Sequence, residues 1–130
     1  MKAARKWASE YGRAVNAKNP KYKPWLATMT TATAKRSAGY MKSDLGTTYP
    51  GPLPFTPVKV TGSGGTAKVM TCMQFEGWAT DPKTKQPVSK VKISPAVFDL
   101  TRAGSSWQMS SLYDGEGYSC SKVKVVGRAW

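Results

Sequence analysis

The chain has 130 residues and a mass of 14.1 kDa, with 40% hydrophobic, 11% aromatic and 21% charged residues. This is one domain's worth of chain with a globular composition, which excludes collagen, coiled-coil and wholly disordered architectures. Histidine is absent, which removes Ser-His-Asp and Cys-His catalysis and most zinc and iron sites.

In residues 3–16, Ala4, Trp7, Ala8, Tyr11, Ala14 and Val15 recur at three- and four-residue steps. The spacing predicts an amphipathic helix, ended by the Asn16–Pro20 stretch. Pro24 opens a short second helix, PWLATM, with Trp25, Leu26 and Met29 on one face. Thr30 to Thr33 offer caps for a third helix over about 33–42, carried by Ala34, Ser37, Ala38 and Met41. Residues 43–57 contain four prolines and read as a stiff connector. From Phe55 the period changes to two, in the order FTPVKVTG, a GSGG turn, then TAKVMTCMQFEGW. Both faces of that second strand are mixed, so it is expected to be central. Asp81 to Pro87 form a polar hairpin loop. A third strand is expected over 89–102, where Pro95 predicts a bulge or an edge. The fourth, SWQMSSLYD, sets Trp107, Met109, Ser111 and Tyr113 on one face if its alternation is unbroken. Residues 121–130 read as a last edge strand or a tail beyond a single domain at 1–120.

Twenty Lys and Arg against seven Asp and Glu give a net charge of +13. Residues 1–65 hold eleven bases and two acids, so the excess lies in the first half. A solvated surface is the plainest reading, followed by attraction to an anionic envelope polymer or lipid surface, and then to nucleic acid. Lys18, Lys21 and Lys23 surround Tyr22, and Lys35, Arg36 and Lys42 lie near Tyr40; these six bases are the candidate anion-binding surface. Cys72 and Cys120 are too far apart for redox or zinc spacing. Adjacent strands would bring them within bridging distance; the alternative is two separate reduced thiols. A bridge implies an oxidising compartment, and a chain opening without an export signal is then expected to be a processed or excised piece of a longer secreted or membrane-anchored protein.

The opening helix with Trp7 and Tyr11, the PWLATM helix, the AKVMTCMQFEGW strand with Cys72, the DPKTKQPV hairpin and the RAGSSWQM start of the strand ending near Cys120 come in an order that resembles the nuclear-transport-factor-2-like superfamily. Within it the resemblance is to extracytoplasmic proteins and lipoproteins of actinobacteria and their mobile elements. It spans about Lys2 to Cys120 and implies an α+β domain: three N-terminal helices packed on a curved, cone-like antiparallel sheet of four to five strands. It also implies a Cys72–Cys120 staple between a middle strand and the end of the last. A related branch comprises scaffold domains of conjugative secretion systems, which self-associate and bind other channel proteins.

The resemblance implies a cavity between helices and sheet, which Trp25, Tyr40, Asp99, Trp107, Met109 and Tyr113 are available to line. Asp99 is the residual candidate for acid-base catalysis, because burial among the apolar residues of AVFDL would raise its pKa. Strand alternation equally allows it to face solvent. No catalytic constellation, cofactor or metal ligand set is expected. The reading is a non-catalytic extracytoplasmic binding or assembly domain associated with the envelope. The alternatives are a conjugative secretion scaffold and a small-molecule enzyme using the cavity.

Overall fold

Helix α1 (Lys2–Asn16) buries Ala4, Trp7, Ala8, Tyr11, Gly12, Ala14 and Val15 along one side, as the three- and four-residue spacing predicts. The structure, a computed structural model, describes every residue from Met1 to Trp130. Helix α2 (Lys23–Leu26) is a single turn with Pro24 at its start. The predicted third helix is two: α3 (Thr31–Arg36) and α4 (Ala38–Met41). The break falls at Ser37, which is buried and whose hydroxyl donates to the Ala34 carbonyl at 2.7 Å. A serine that bonds back onto the preceding turn competes with the helical ladder, and Gly39 weakens the continuation. No helix is long and apolar enough to cross a membrane.

Strands β1 (Phe55–Ser63), β2 (Thr66–Glu76), β3 (Lys92–Ala103) and β4 (Ser106–Asp114) form one antiparallel sheet in the order β1-β2-β3-β4. The architecture is thus α+β, with β2 and β3 central. Val69, Met73, Ala96, Phe98, Leu100 and Met109 meet Trp7, Tyr11, Trp25 and Phe55 in one core of 19 buried residues. Pro95 lies in the stretch of β3 that precedes its pairing with β4, which begins at Ala96, so this part of the strand has one free edge, as the sequence predicts. Its carbonyl accepts from Gly115 N at 3.0 Å, beyond the end of β4. The nitrogen of an antiparallel residue faces the same way as its carbonyl, so the missing N–H points past the end of β4 and takes no bond from β2.

Every strand pair carries a register shift, and the one between β3 and β4 changes the reading of the sequence. Leu100 pairs with Met109, yet Asp99 pairs with Ser111, leaving Ser110 as the extra residue. Past that bulge the alternation inverts. Trp107 and Met109 share the core face with Leu112, while Ser111 and Tyr113 turn to the other face. The predicted set of Trp107, Met109, Ser111 and Tyr113 on one face is therefore corrected. Helix α3 pins the bulge: the Thr33 hydroxyl donates to the Ser110 carbonyl at 2.7 Å. Just upstream, Met109 N donates to Thr28 O and Thr30 N to Met109 O, so the connection between α2 and α3 occupies the free edge of β4.

Residues 115–130 form no strand and wrap the body instead. Tyr118 Oη lies 2.8 Å from the Thr71 carbonyl and 3.2 Å from that of Ala96. Cys120 is then joined to Cys72 on the outer face of β2, with a Cα separation of 5.7 Å. Farther on, the Lys124 carbonyl accepts from Thr56 Oγ1 at the β1 edge, and Trp130 reaches the helix layer, where its indole N–H donates to Tyr49 O at 2.9 Å. Two glycines make room for this path. A Cβ at Gly51 would lie 1.6 Å from Arg128 O, and one at Gly127 would lie 2.1 Å from the Trp78 ring.

The disulfide closes a loop of 48 residues. Cys72→Ala with Cys120→Ala is expected to lower the unfolding free energy by up to about 4 kcal/mol, read from urea denaturation; an unchanged midpoint with an unchanged slope would show that the bridge restrains nothing in the unfolded chain.

Candidate functional site

One turn apart on the buried side of α1, Trp7 and Tyr11 stack with ring centres 5.0 Å apart. Trp25 packs against both rings, and Tyr49, from the connector, meets Tyr11 edge-on at 5.7 Å. Tyr49 is placed by its backbone: Asn16 at the end of α1 donates from Nδ2 to Tyr49 O at 2.9 Å and accepts from Tyr49 N at 2.7 Å. The Tyr11 and Tyr49 hydroxyls both donate to Oδ2 of Asp44, in the turn after α4. Asp44 Oδ1 receives no hydrogen bond from the protein. Burial, then the Tyr49 and Asp44 charges, hold the Tyr11 hydroxyl far above its usual pKa. Burial, then Asp44, does the same to Tyr49.

These groups line a cavity of about 250 Å³ between the helices and the sheet, walled by Trp7, Tyr11, Tyr40, Tyr49 and Phe75 with Leu53 and Leu112. Its carboxylates are Asp44 and Glu76. The Trp7 indole N–H is buried without an acceptor, as is that of Trp25. Such an unpaired donor costs roughly 1–3 kcal/mol.

Of the six residues expected to line a cavity, Tyr40 lines this one, and Trp107 lines a separate hollow between α1 and β4. Trp25 and Met109 are fully buried in the core. Trp107 is half-buried at the far end of the sheet, beneath Arg102. Asp99 and Tyr113 lie on the opposite face of the sheet, since Phe98 and Leu100 take the core side. There Lys68 Nζ sits 3.0 Å from Asp99 Oδ1, the Tyr113 hydroxyl donates to the same oxygen at 3.1 Å, and Lys68 donates to Tyr113. Hydrogen bonds to Tyr113 and Asp99 raise the Lys68 pKa. Asp99 is thus one partner of a surface ion pair.

The six bases expected to bind anions, Lys18, Lys21, Lys23, Lys35, Arg36 and Lys42, are all exposed. None lines the most cationic groove, which lies between α1 and the wrapped tail. Arg5, Lys6, Arg13 and Arg128 border about 310 Å³ there, and an adjoining hollow adds Lys124 beside Arg5, Phe55, Val126 and Arg128. Its one carboxylate, Glu10, is already bound to Arg13 at 3.0 Å. Arg5 has no acid partner: Nη1 donates to Phe55 O at 3.0 Å and the guanidinium lies 4.3 Å over the Phe55 ring. Burial first, then repulsion by Arg128, lowers its pKa. Cations held together without compensating carboxylates present a ready site for an anion.

Sequence reading alone overlooks Asp44, Asn16 and Arg128. Asp44 lies in the proline-rich connector and Arg128 in the tail, where no periodicity reports on neighbours. Asn16 reads as a helix stop. The usable signal for Asp44 is scarcity, because the first 65 residues contain only two acids.

The fold holds both cavity tyrosines protonated, whereas the unfolded chain releases their protons near pH 10. Above that pH the unfolded state binds fewer protons than the native state. The stabilisation is complete below about pH 10 and falls as pH rises, by as much as about 1.4 kcal/mol per pH unit for each tyrosine. Tyr11→Phe with Tyr49→Phe is expected to flatten this alkaline limb in urea unfolding between about pH 9 and about pH 11; an unaltered slope would show that neither hydroxyl is protected. Compared with known proteins, the chain matches no family model and no curated protein.

Proposed function

We propose that the chain is a nuclear-transport-factor-2-like domain that acts outside the cytoplasm as a non-catalytic binding module, holding phosphate-bearing envelope polymer in the groove between α1 and the tail. The observation that carries this is the meeting of Arg5, Lys6, Arg13, Lys124 and Arg128 around a groove whose single carboxylate is taken. The Cys72–Cys120 bond supports an oxidising location. A polymer of phosphodiesters suits the groove because Arg5 and Arg128 each present several donors in a fixed plane. Asp99, engaged with Lys68 across the sheet from the cavity, supports binding over catalysis.

Binding to poly(glycerol phosphate) is expected to weaken steeply with salt, and Arg5→Gln with Arg128→Gln to weaken it by about tenfold or more. Replacing Lys18, Lys21 and Lys23 by Gln removes more charge and should matter less. Equal loss in the two variants would assign the attraction to net charge and sink the groove. Anionic vesicles and single-stranded DNA, titrated in parallel, separate polymer from lipid and nucleic acid.

A second reading, assembly into a scaffold, has its own support. No strand pairs with the outer edge of β1, and Val58 and Val60 are 45% and 53% exposed along it. An edge of this kind can add a strand from another copy. Sedimentation is expected to show concentration-dependent association that Val60→Lys abolishes; a monomer at all concentrations would reject this reading.

A further inference from the structure

We propose that the aromatic cavity beside Asp44 binds a small alkylammonium cation. Five aromatic side chains from four separate stretches of chain converge on its 250 Å³: Trp7 and Tyr11 from α1, Tyr40 from α4, Tyr49 from the connector and Phe75 from β2. Ring faces carry negative potential and attract a cation, most strongly one whose charge is spread over alkyl groups and weakly hydrated.

Charge placement points the same way. The protein has twenty cationic side chains and seven acids. Its two ion pairs use Glu10 and Asp99. Asp44 and Glu76 have no cationic partner, yet both line this cavity, and no Lys or Arg does. The chain carries a net charge of +13, while this recess brings together two carboxylates and five aromatic rings. The Tyr11 and Tyr49 hydroxyls fix one oxygen of Asp44, leaving Oδ1 free to face a ligand charge. The small volume suits an occupant below the size of a drug-like ligand. A small ammonium with a methylated nitrogen satisfies these features.

Choline and its uncharged carbon isostere 3,3-dimethylbutan-1-ol have nearly the same shape, so comparing them isolates the charge. Both are titrated against the intact protein while the indole and aromatic NMR signals of Trp7, Tyr11 and Tyr49 are followed. Choline is expected to move these signals saturably and to bind about tenfold or more tighter than the isostere. Glu76→Gln, at an exposed side chain, and Asp44→Asn should each weaken choline severalfold and leave the isostere unchanged. If Asp44→Asn perturbs folding, Glu76→Gln alone decides the matter. Equal binding of the two compounds, insensitivity to both variants, or no shift with choline at about a hundred millimolar would overturn the proposal. A short-chain phosphatidylcholine, compared with free choline, tells a lipid headgroup from a free amine; tighter binding of either supports the cation site and identifies its source. The groove between α1 and the tail plays no part, so Arg5→Gln with Arg128→Gln should leave choline binding intact.

Discussion

The Cys72–Cys120 bond anchors a tail that would otherwise have little to hold it. Residues 115–130 form no helix or strand, so few backbone hydrogen bonds of their own oppose the entropy of a mobile segment. The bond fixes the middle of this stretch to a central strand, and Trp130 fixes its far end to the helix layer. Between these points Lys124, Val126 and Arg128 come to lie beside Arg5. The cavity depends on the same wrap. Tyr49 O accepts from both Asn16 and Trp130, and the Tyr49 hydroxyl in turn donates to Asp44. One covalent link on the outer face of the sheet therefore bears on two recesses built around α1.

The two recesses divide the molecule's electrostatics. In the groove, the Arg5 guanidinium rests on a backbone carbonyl and a ring face in place of a carboxylate, so its charge is not neutralised internally. In the cavity, the Asp44 carboxylate rests on tyrosine hydroxyls in place of a cation. Both arrangements leave a charge oriented and only partly satisfied, the condition under which a ligand of opposite sign gains most from preorganisation. Leu53 touches both recesses. They are thus separated by little more than the thickness of one side chain and the α1 backbone.

Regular elements were legible in the residues where a period could express itself. The α1 face, the switch to period two at Phe55, and the central position of β2 follow from alternation and spacing alone. Where the chain departs from a period, the reading fails for identifiable reasons. Ser110 inserts one residue opposite an unbroken β3 partner and reverses Tyr113. Ser37 prefers its own backbone to the helix. A bridge between Cys72, inside one strand pattern, and Cys120, after another, was legible as one of two readings beside two free thiols, but the path beyond Cys120 was not. It is set by tertiary contacts of Gly51, Gly127 and Trp130 that leave no local mark. Asp44 belongs to the same class, since a carboxylate among prolines and glycines reads as a turn until its tyrosine partners are seen.

Before its sulfurs are oxidised, a newly made chain lacks the covalent tether that holds Lys124 and Arg128 against α1. The helices and the four strands can pair without that tether, because their hydrogen bonds and core contacts do not pass through Cys120. The cationic groove is then a late-maturing feature, weakly held while the two thiols are reduced and locked once they are joined.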